Sequence, residues 1–179
     1  MQSINSMKTI LFSALFIFTF SFSSLAQQWK IAEGHNIAFS NSDVAGVFKE
    51  LSGSINFDPS NLTSSKFVLK INIASISTGN ALQNKHAKGE EWFDSEKHPT
   101  IEFISSKIEK TESGYTATGK LEIRGVKKEV KVPITFVKKG SKGTFVAKFS
   151  VNRLDYGVGK KGEVNETLKI NATIPVIKK

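Results

Sequence analysis

The side chains able to do chemistry are few and scattered in this 179-residue chain, which has three His, sixteen Asp or Glu and no Cys. The lack of Cys removes disulfides, thiolate nucleophiles, zinc–thiolate sites and lipidated cysteines together. His86 and Glu90 are spaced i, i+4, which would set both on one helix face with Glu91 beside them. Two ligands fall short of the three or four that a metal site needs, so a helix cap and solvated surface account for them. His98, before Pro99, reads as an exposed turn leading into a strand. Glu129 and Asp155 are separated carboxylates with no pairing that would flank a glycosidic bond. Neither a nucleophile elbow nor a glycine-rich phosphate loop occurs. No catalytic residue, metal ligand or cofactor is therefore assigned, and a hydrolase using His86 stands furthest from the pattern. Arg153, Asp155 and Tyr156 precede Gly157 and Gly159 at a strand-to-loop transition. An ion pair and a hydroxyl pinning the turn is the simpler reading of these three.

The elements that would hold these groups follow an export signal. Met1–Ala26 carries Lys8, no acidic residue, an apolar run from Ile10 to Phe22 and the small residues Ser24 and Ala26 at its end. That is the pattern of a cleavable secretory peptide, and its apolar run is short for a membrane span. No Cys follows the cleavage point, so the expected destination is the periplasm or the medium without a lipid anchor. The exported part, residues 27–179, loses only Lys8 from a net charge of +9.

Period-2 alternation dominates that part, the mark of half-buried strands. Phe67, Leu69, Ile71 and Ile73 alternate with Lys70 and Asn72; Leu121 and Ile123 with Lys120 and Glu122. Val130, Val132, Ile134 and Phe136 interleave with Glu129, Lys131 and Thr135. Phe145 to Val151 and Leu168 to Val176 repeat the pattern, and shorter stretches occur at 36–39, 48–57 and 100–108. Pro133 and Pro175 interrupt strand patterns, which argues for edges or bulges there. One segment, Asn80 to Asp94, does not alternate, and residues 81–88 suit a short helix ended by Gly89. About eight strands joined by short turns must cover one apolar face, and one small helix cannot do it. The expectation is an all-β fold, an eight-stranded antiparallel barrel, with a two-sheet sandwich as the other way to hide that face.

The inward residues are nearly all aliphatic or Phe, so a cavity there would take a greasy chain. Periodicity alone leaves a dry, self-packed core equally open. Four linked stretches add to this: Ser75–Asn80, then His86; Trp92–Phe103; Gly114–Val126; and Val151–Gly159. In order and spacing they resemble the YceI-like family across nearly all of the exported chain. The resemblance implies a lipocalin-like barrel in exported bacterial proteins that binds polyisoprenoids or related long-chain amphiphiles in a tunnel, without catalysis. Many relatives carry Arg-Asp before the His and Leu-Arg after it, where this chain has Asn84-Lys85 and Ala87-Lys88. The segment before Asp58 is also shorter, and both departures bear on head group and chain length.

On that basis Phe67, Leu69, Ile71, Phe103, Leu121, Phe136, Phe149 and Ile170 are expected to line the tunnel. His86, Trp92, Phe93, Arg153 and Tyr156 are expected near its mouth, with the helix-containing segment closing one end. Exposed lysines (Lys127, Lys128, Lys131, Lys138, Lys139, Lys142, Lys160, Lys161) keep the barrel soluble or touch an anionic membrane surface. Nucleic acid is disfavoured by export and by the lack of basic clusters with stacking aromatics. A homodimer stays open, as does a dry structural or adhesion barrel acting through its basic surface. Asn61, Asn165 and Asn171 sit in N-x-Thr sequons that matter only in a glycosylating host.

Overall fold

A computed structural model describes residues 27–179, so the export signal expected over Met1–Ala26 lies outside the described residues. The alternating stretches form eleven strand segments: β1 (Gln28–Ile31), β2 (Asn36–Ser40), β3 (Ala45–Phe48), β4 (Leu51–Asn56), β5 (Lys66–Asn72) and β6 (Ile76–Ser77), then β7 (Thr100–Thr111), β8 (Gly114–Ile123), β9 (Val126–Lys139), β10 (Lys142–Asn152) and β11 (Thr167–Lys178). Three staves are broken in two. β11 pairs with both β1 and β2, β4 pairs with β1 while β3 pairs with β2, and β5 and β6 continue the same division. Counting each broken pair once gives eight antiparallel staves, and the β1–β11 pairing closes them into the expected barrel. Closure removes the free edges of an open sheet, apart from one seam between β9 and β10.

The three breaks lie side by side. Gly34, at φ +83, turns the chain after β1, and a 3-10 turn at Ile73–Ser75 separates β5 from β6. Backbone donors and acceptors freed from the ladder find nearby partners, as buried peptide groups must. The Ser75 hydroxyl accepts from the N–H groups of Lys49 and Glu50, each at 3.1 Å. His35 Nε2 donates to the Lys49 carbonyl at 3.1 Å, because a carbonyl can only accept.

Pro133 falls at a local edge, as expected, whereas Pro175 lies inside a paired strand at a gap between its partners on the other side. Pro175 pairs with Thr144 inside the β10–β11 ladder, and its carbonyl accepts from Ala32 N–H in the gap between β1 and β2. Its missing N–H therefore faces a place where no strand asks for it. Pro133 lies one residue past Ile134↔Ala147, where the β9–β10 pairing stops. Beyond it, Val126–Pro133 pair only with β8 and Lys148–Asn152 only with β11. A missing donor at Pro133 is a local reason for that seam.

The helix α1 (Ala81–Lys88) has the expected limits: the Asn80 side chain accepts from Leu82 and Gln83 N–H, and Gly89 ends it. It spans the barrel end that also carries the β2–β3, β8–β9 and β10–β11 connections. The opposite end holds the chain terminus and the β7–β8 and β9–β10 hairpin turns. There Phe57 meets Tyr115, Phe136 and Phe145 edge-on at 5.0, 5.1 and 5.2 Å, and Phe136 stacks on Phe145 at 4.3 Å. Trp29 adds an edge contact to Phe136 and donates its indole N–H to the Phe57 carbonyl at 2.9 Å. These rings form a floor.

Candidate functional site

Between floor and helix lies a cavity in two lobes. The inner lobe, about 110 Å³, rests on Phe67 and Phe145 and is walled by Leu69, Phe103, Val130 and Val132. The outer lobe, about 290 Å³, is enclosed by Phe39, Phe48, Ile76, Trp92 and Phe93 toward the helix end. Ile37, Ile71, Ile101, Leu121, Phe149 and Ile170 border both, so the lobes adjoin at these side chains. Alternation explains the wall: each is the inward member of its pair, while lysines such as Lys70, Lys120 and Lys169 take the outward positions. Polar groups enter only at the outer lobe, from Asp43, Thr78, Gln83, His86 and Arg153.

Arg153 follows β10 and is 3% exposed, yet no carboxylate pairs with it among the described residues. Nη1 donates to the Val158 carbonyl at 2.7 Å, and Nη2 to those of Lys160 at 2.8 Å and Val164 at 2.6 Å. The guanidinium also faces the Trp92 ring at 5.3 Å. A buried charge is thus balanced by carbonyl dipoles and a ring face rather than by an anion. The expected ion pair with Asp155 does not form: Asp155 reaches Lys128 at 3.3 Å. The left-handed Gly157 (φ 67) and Gly159 (φ 66) let the loop wrap back, and a Cβ on Gly159 would sit 2.8 Å from Arg153 Nη1.

The segment carrying α1 is tied to this loop at several points. Gly159 N–H donates to the Glu91 carbonyl at 2.9 Å, and Lys160 Nζ reaches the Glu91 carboxylate at 2.7 Å. Arg124, in the two-residue β8–β9 turn, donates to the carbonyls of Glu90 and Gly157. Lys160 holds the Glu91 carboxyl below its ordinary value, first through the hydrogen bond and then through its charge. On the other side of the mouth, Asp43 accepts from Asn165 N–H at 2.6 Å, and this bond, then that from Ser42, lowers its pKa. Under the segment, Phe93 meets Phe48 edge-on at 6.0 Å.

The placements differ residue by residue from the expectation. Phe67, Leu69 and Phe103 border the inner lobe, and Ile71, Leu121, Phe149 and Ile170 border both. Phe136 borders neither: its inward side chain falls in the part of the barrel already filled by Phe57 and Phe145. His86, Trp92, Phe93 and Arg153 line the outer lobe, whereas Tyr156 is packed into the core behind it and is absent from the lining. Burial, then the neighbouring Asp155, raises the Tyr156 pKa. His86 and Glu90 do not share a helix face, because α1 ends at Lys88 and Glu90 turns to Lys97 at 3.5 Å. Among the described residues no three His, Asp or Glu side chains are placed to hold a metal ion. Ile37 and Ile101 share the inward parity of residues chosen from the sequence and were legible by the same rule. Val44 and Val164 come from connections without periodicity, so no sequence signal marks them.

Comparison with known proteins agrees with this geometry. A family model described as YceI-like domain matches residues 25–176. A UPF0312 protein of Photorhabdus laumondii is 38% identical over 85 residues, a stretch covering 48% of this chain and 44% of that relative. The crystal structure of Burkholderia cenocepacia BcnA superposes with a TM-score of 0.72 at 27% identity, covering 79% of this chain and 95% of that one. A polyisoprenoid binding domain from Saccharophagus degradans shares the fold, with a TM-score of 0.65 at 15% identity over 86% of this chain and 99% of its own.

Proposed function

The chain belongs to the YceI-like family, and on that premise we propose that it is an exported, non-enzymatic protein that binds a single-chain amphiphilic lipid, of isoprenoid or related kind, in its two-lobed cavity. The observation that carries this reading is a pair of adjoining apolar lobes whose polar groups are confined to one end. A self-packed structural barrel would have no use for that polarity gradient. Burial contributes about 0.8 kcal/mol per CH2, so a ten-carbon tail gives about 8 kcal/mol before association costs. The mouth groups supply donors for a polar head, and the fold-level likeness to a polyisoprenoid binding domain supports a chain-like ligand. Lys127 and Lys131 on the outer face of β9 favour transient contact with anionic lipid, about 1 kcal/mol for each basic residue at the surface. In this role the protein sequesters or carries its lipid in the periplasm or outside the cell.

Purification from the exported fraction, extraction with organic solvent and mass spectrometry test the proposal. The expected result is a prenyl or acyl amphiphile at close to one molecule per chain. No extractable lipid, together with no thermal shift on adding prenyl alcohols, would contradict it. Phe149→Trp fills the junction of the two lobes and should block uptake with little loss of stability. In a dry core the same change overpacks, at a cost of about 1–3 kcal/mol.

A further inference from the structure

The structure assigns a chain-length limit to the ligand: we infer that the buried tail ends after about a dozen carbons, and that Phe67 and Phe145 set that limit. The inference rests on the proposed lipid-binding role of the cavity. The lobes hold about 290 and 110 Å³. At about 30 Å³ for each water-sized group, this is room for on the order of a dozen chain carbons, or roughly two isoprene units with their methyls.

The inner lobe has no way onward along the barrel axis. Phe67 and Phe145 stand at its base 5.4 Å apart, and both lie against Phe57, itself 1% exposed. Behind them Phe57 meets Tyr115 and Phe136, and its carbonyl accepts the Trp29 indole N–H, so six rings pack in one cluster. Gly143 packs its backbone against Phe136, where a Cβ would come within 2.5 Å of the ring, so the wall there is already in contact. The wall beside the floor is closed as well, because β9 and β10 are zipped from Lys139↔Lys142 to Ile134↔Ala147; above it the two strands part beside Val130, Val132 and Phe149, which border the inner lobe. A tail that outgrows the cavity therefore leaves its surplus carbons at the mouth or in the β9–β10 seam, where they gain little from leaving water. The ligand class this fits is a short single-chain amphiphile, or the terminal part of a longer one.

The test is displacement of an environment-sensitive naphthalene dye by a series of linear carboxylates from about eight to about twenty carbons, below their micellar concentrations. Affinity should rise about fourfold for each methylene up to about twelve carbons, then level off. Phe145→Ala should move the break point to longer chains by about three carbons, and Phe145→Leu, which perturbs folding less, should move it by about one. An unbroken rise to about twenty carbons in the unaltered protein would overturn the length limit while leaving lipid binding intact. A break point that stays put in a folded Phe145→Leu protein would overturn the role of the floor. Failure of every carboxylate and of prenyl alcohols to displace or shift anything would overturn the binding role and this inference with it.

Discussion

At the floor of the barrel six aromatic rings hold one another through contacts of 4.3–5.9 Å with no charged group among them. At the mouth the contacts are of another kind: Arg153 on the carbonyls of Val158, Lys160, Val164 and Asn165, Arg124 on two, Glu91 with Lys160, and Asp43 on Asn165 N–H. Ring packing is dense, cooperative and indifferent to pH or salt. Hydrogen bonds to loop carbonyls and exposed ion pairs are directional, can be exchanged for water, and cost little to rearrange. The barrel thus keeps its stability at one end and its adaptability at the other, with the cavity between them.

The largest effect should come from breaking the floor. Phe57→Ala removes a side chain that touches four other rings and should cost about 3–5 kcal/mol in denaturant unfolding. A loss below about 1 kcal/mol would mean that the rings repack and the floor is not a unit. Arg153→Met should cost less, about 1–3 kcal/mol, for carbonyls left without donors. Its more telling signature is local: amide exchange across 157–165 should quicken while the Trp29 indole stays protected. Arg153→Lys should not restore that protection, because an ammonium cannot spread over these four carbonyls as the planar fork does.

Acid should separate the two ends further. Asp43 and Glu91 have depressed folded-state pKa values, so the stability they contribute is present above the ordinary carboxylate range. It is lost as the pH falls through that range, while Lys160, raised by Glu91, stays charged throughout. NMR signals from Asn165 and Gly159 should shift or broaden below about pH 4, with the Trp29 indole signal unmoved. Simultaneous loss at both ends would remove the distinction. The smallest effect belongs to the seam: Lys128→Ala removes the exposed pair with Asp155 and should cost at most about 1 kcal/mol, vanishing in high salt.

The sequence made the barrel legible because a solvated wall with an apolar lining forces strict alternation, and eight such runs leave few other closures. The same rule overreached at Phe136, since period 2 says that a side chain points inward but not whether the interior at that height is filled. It also joined residues 48–57 into one strand, where β3 and β4 are separated at Lys49–Glu50 beside the turn at Ile73–Ser75. Hydrogen bonds from Ser75 and His35 stabilise that break, and nothing in the local pattern announces contacts so distant along the chain. The helix was legible to the residue because Asn80 and Gly89 are local signals. The mouth was legible only in part, since Asp155 turned to Lys128 and left Arg153 to carbonyls that no side-chain pattern encodes.

The central claim, a tail buried between floor and mouth, is tested most directly by NMR on methyl-labelled protein saturated with a twelve-carbon amphiphile. Cross-relaxation from the terminal methyl of the ligand to the Phe67 and Phe145 rings, and from its middle to Ile71, Ile101 and Ile170, is the result the account requires. Contacts confined to outward residues such as Val137 and Ile177, with the cavity methyls unmoved at saturation, would contradict it.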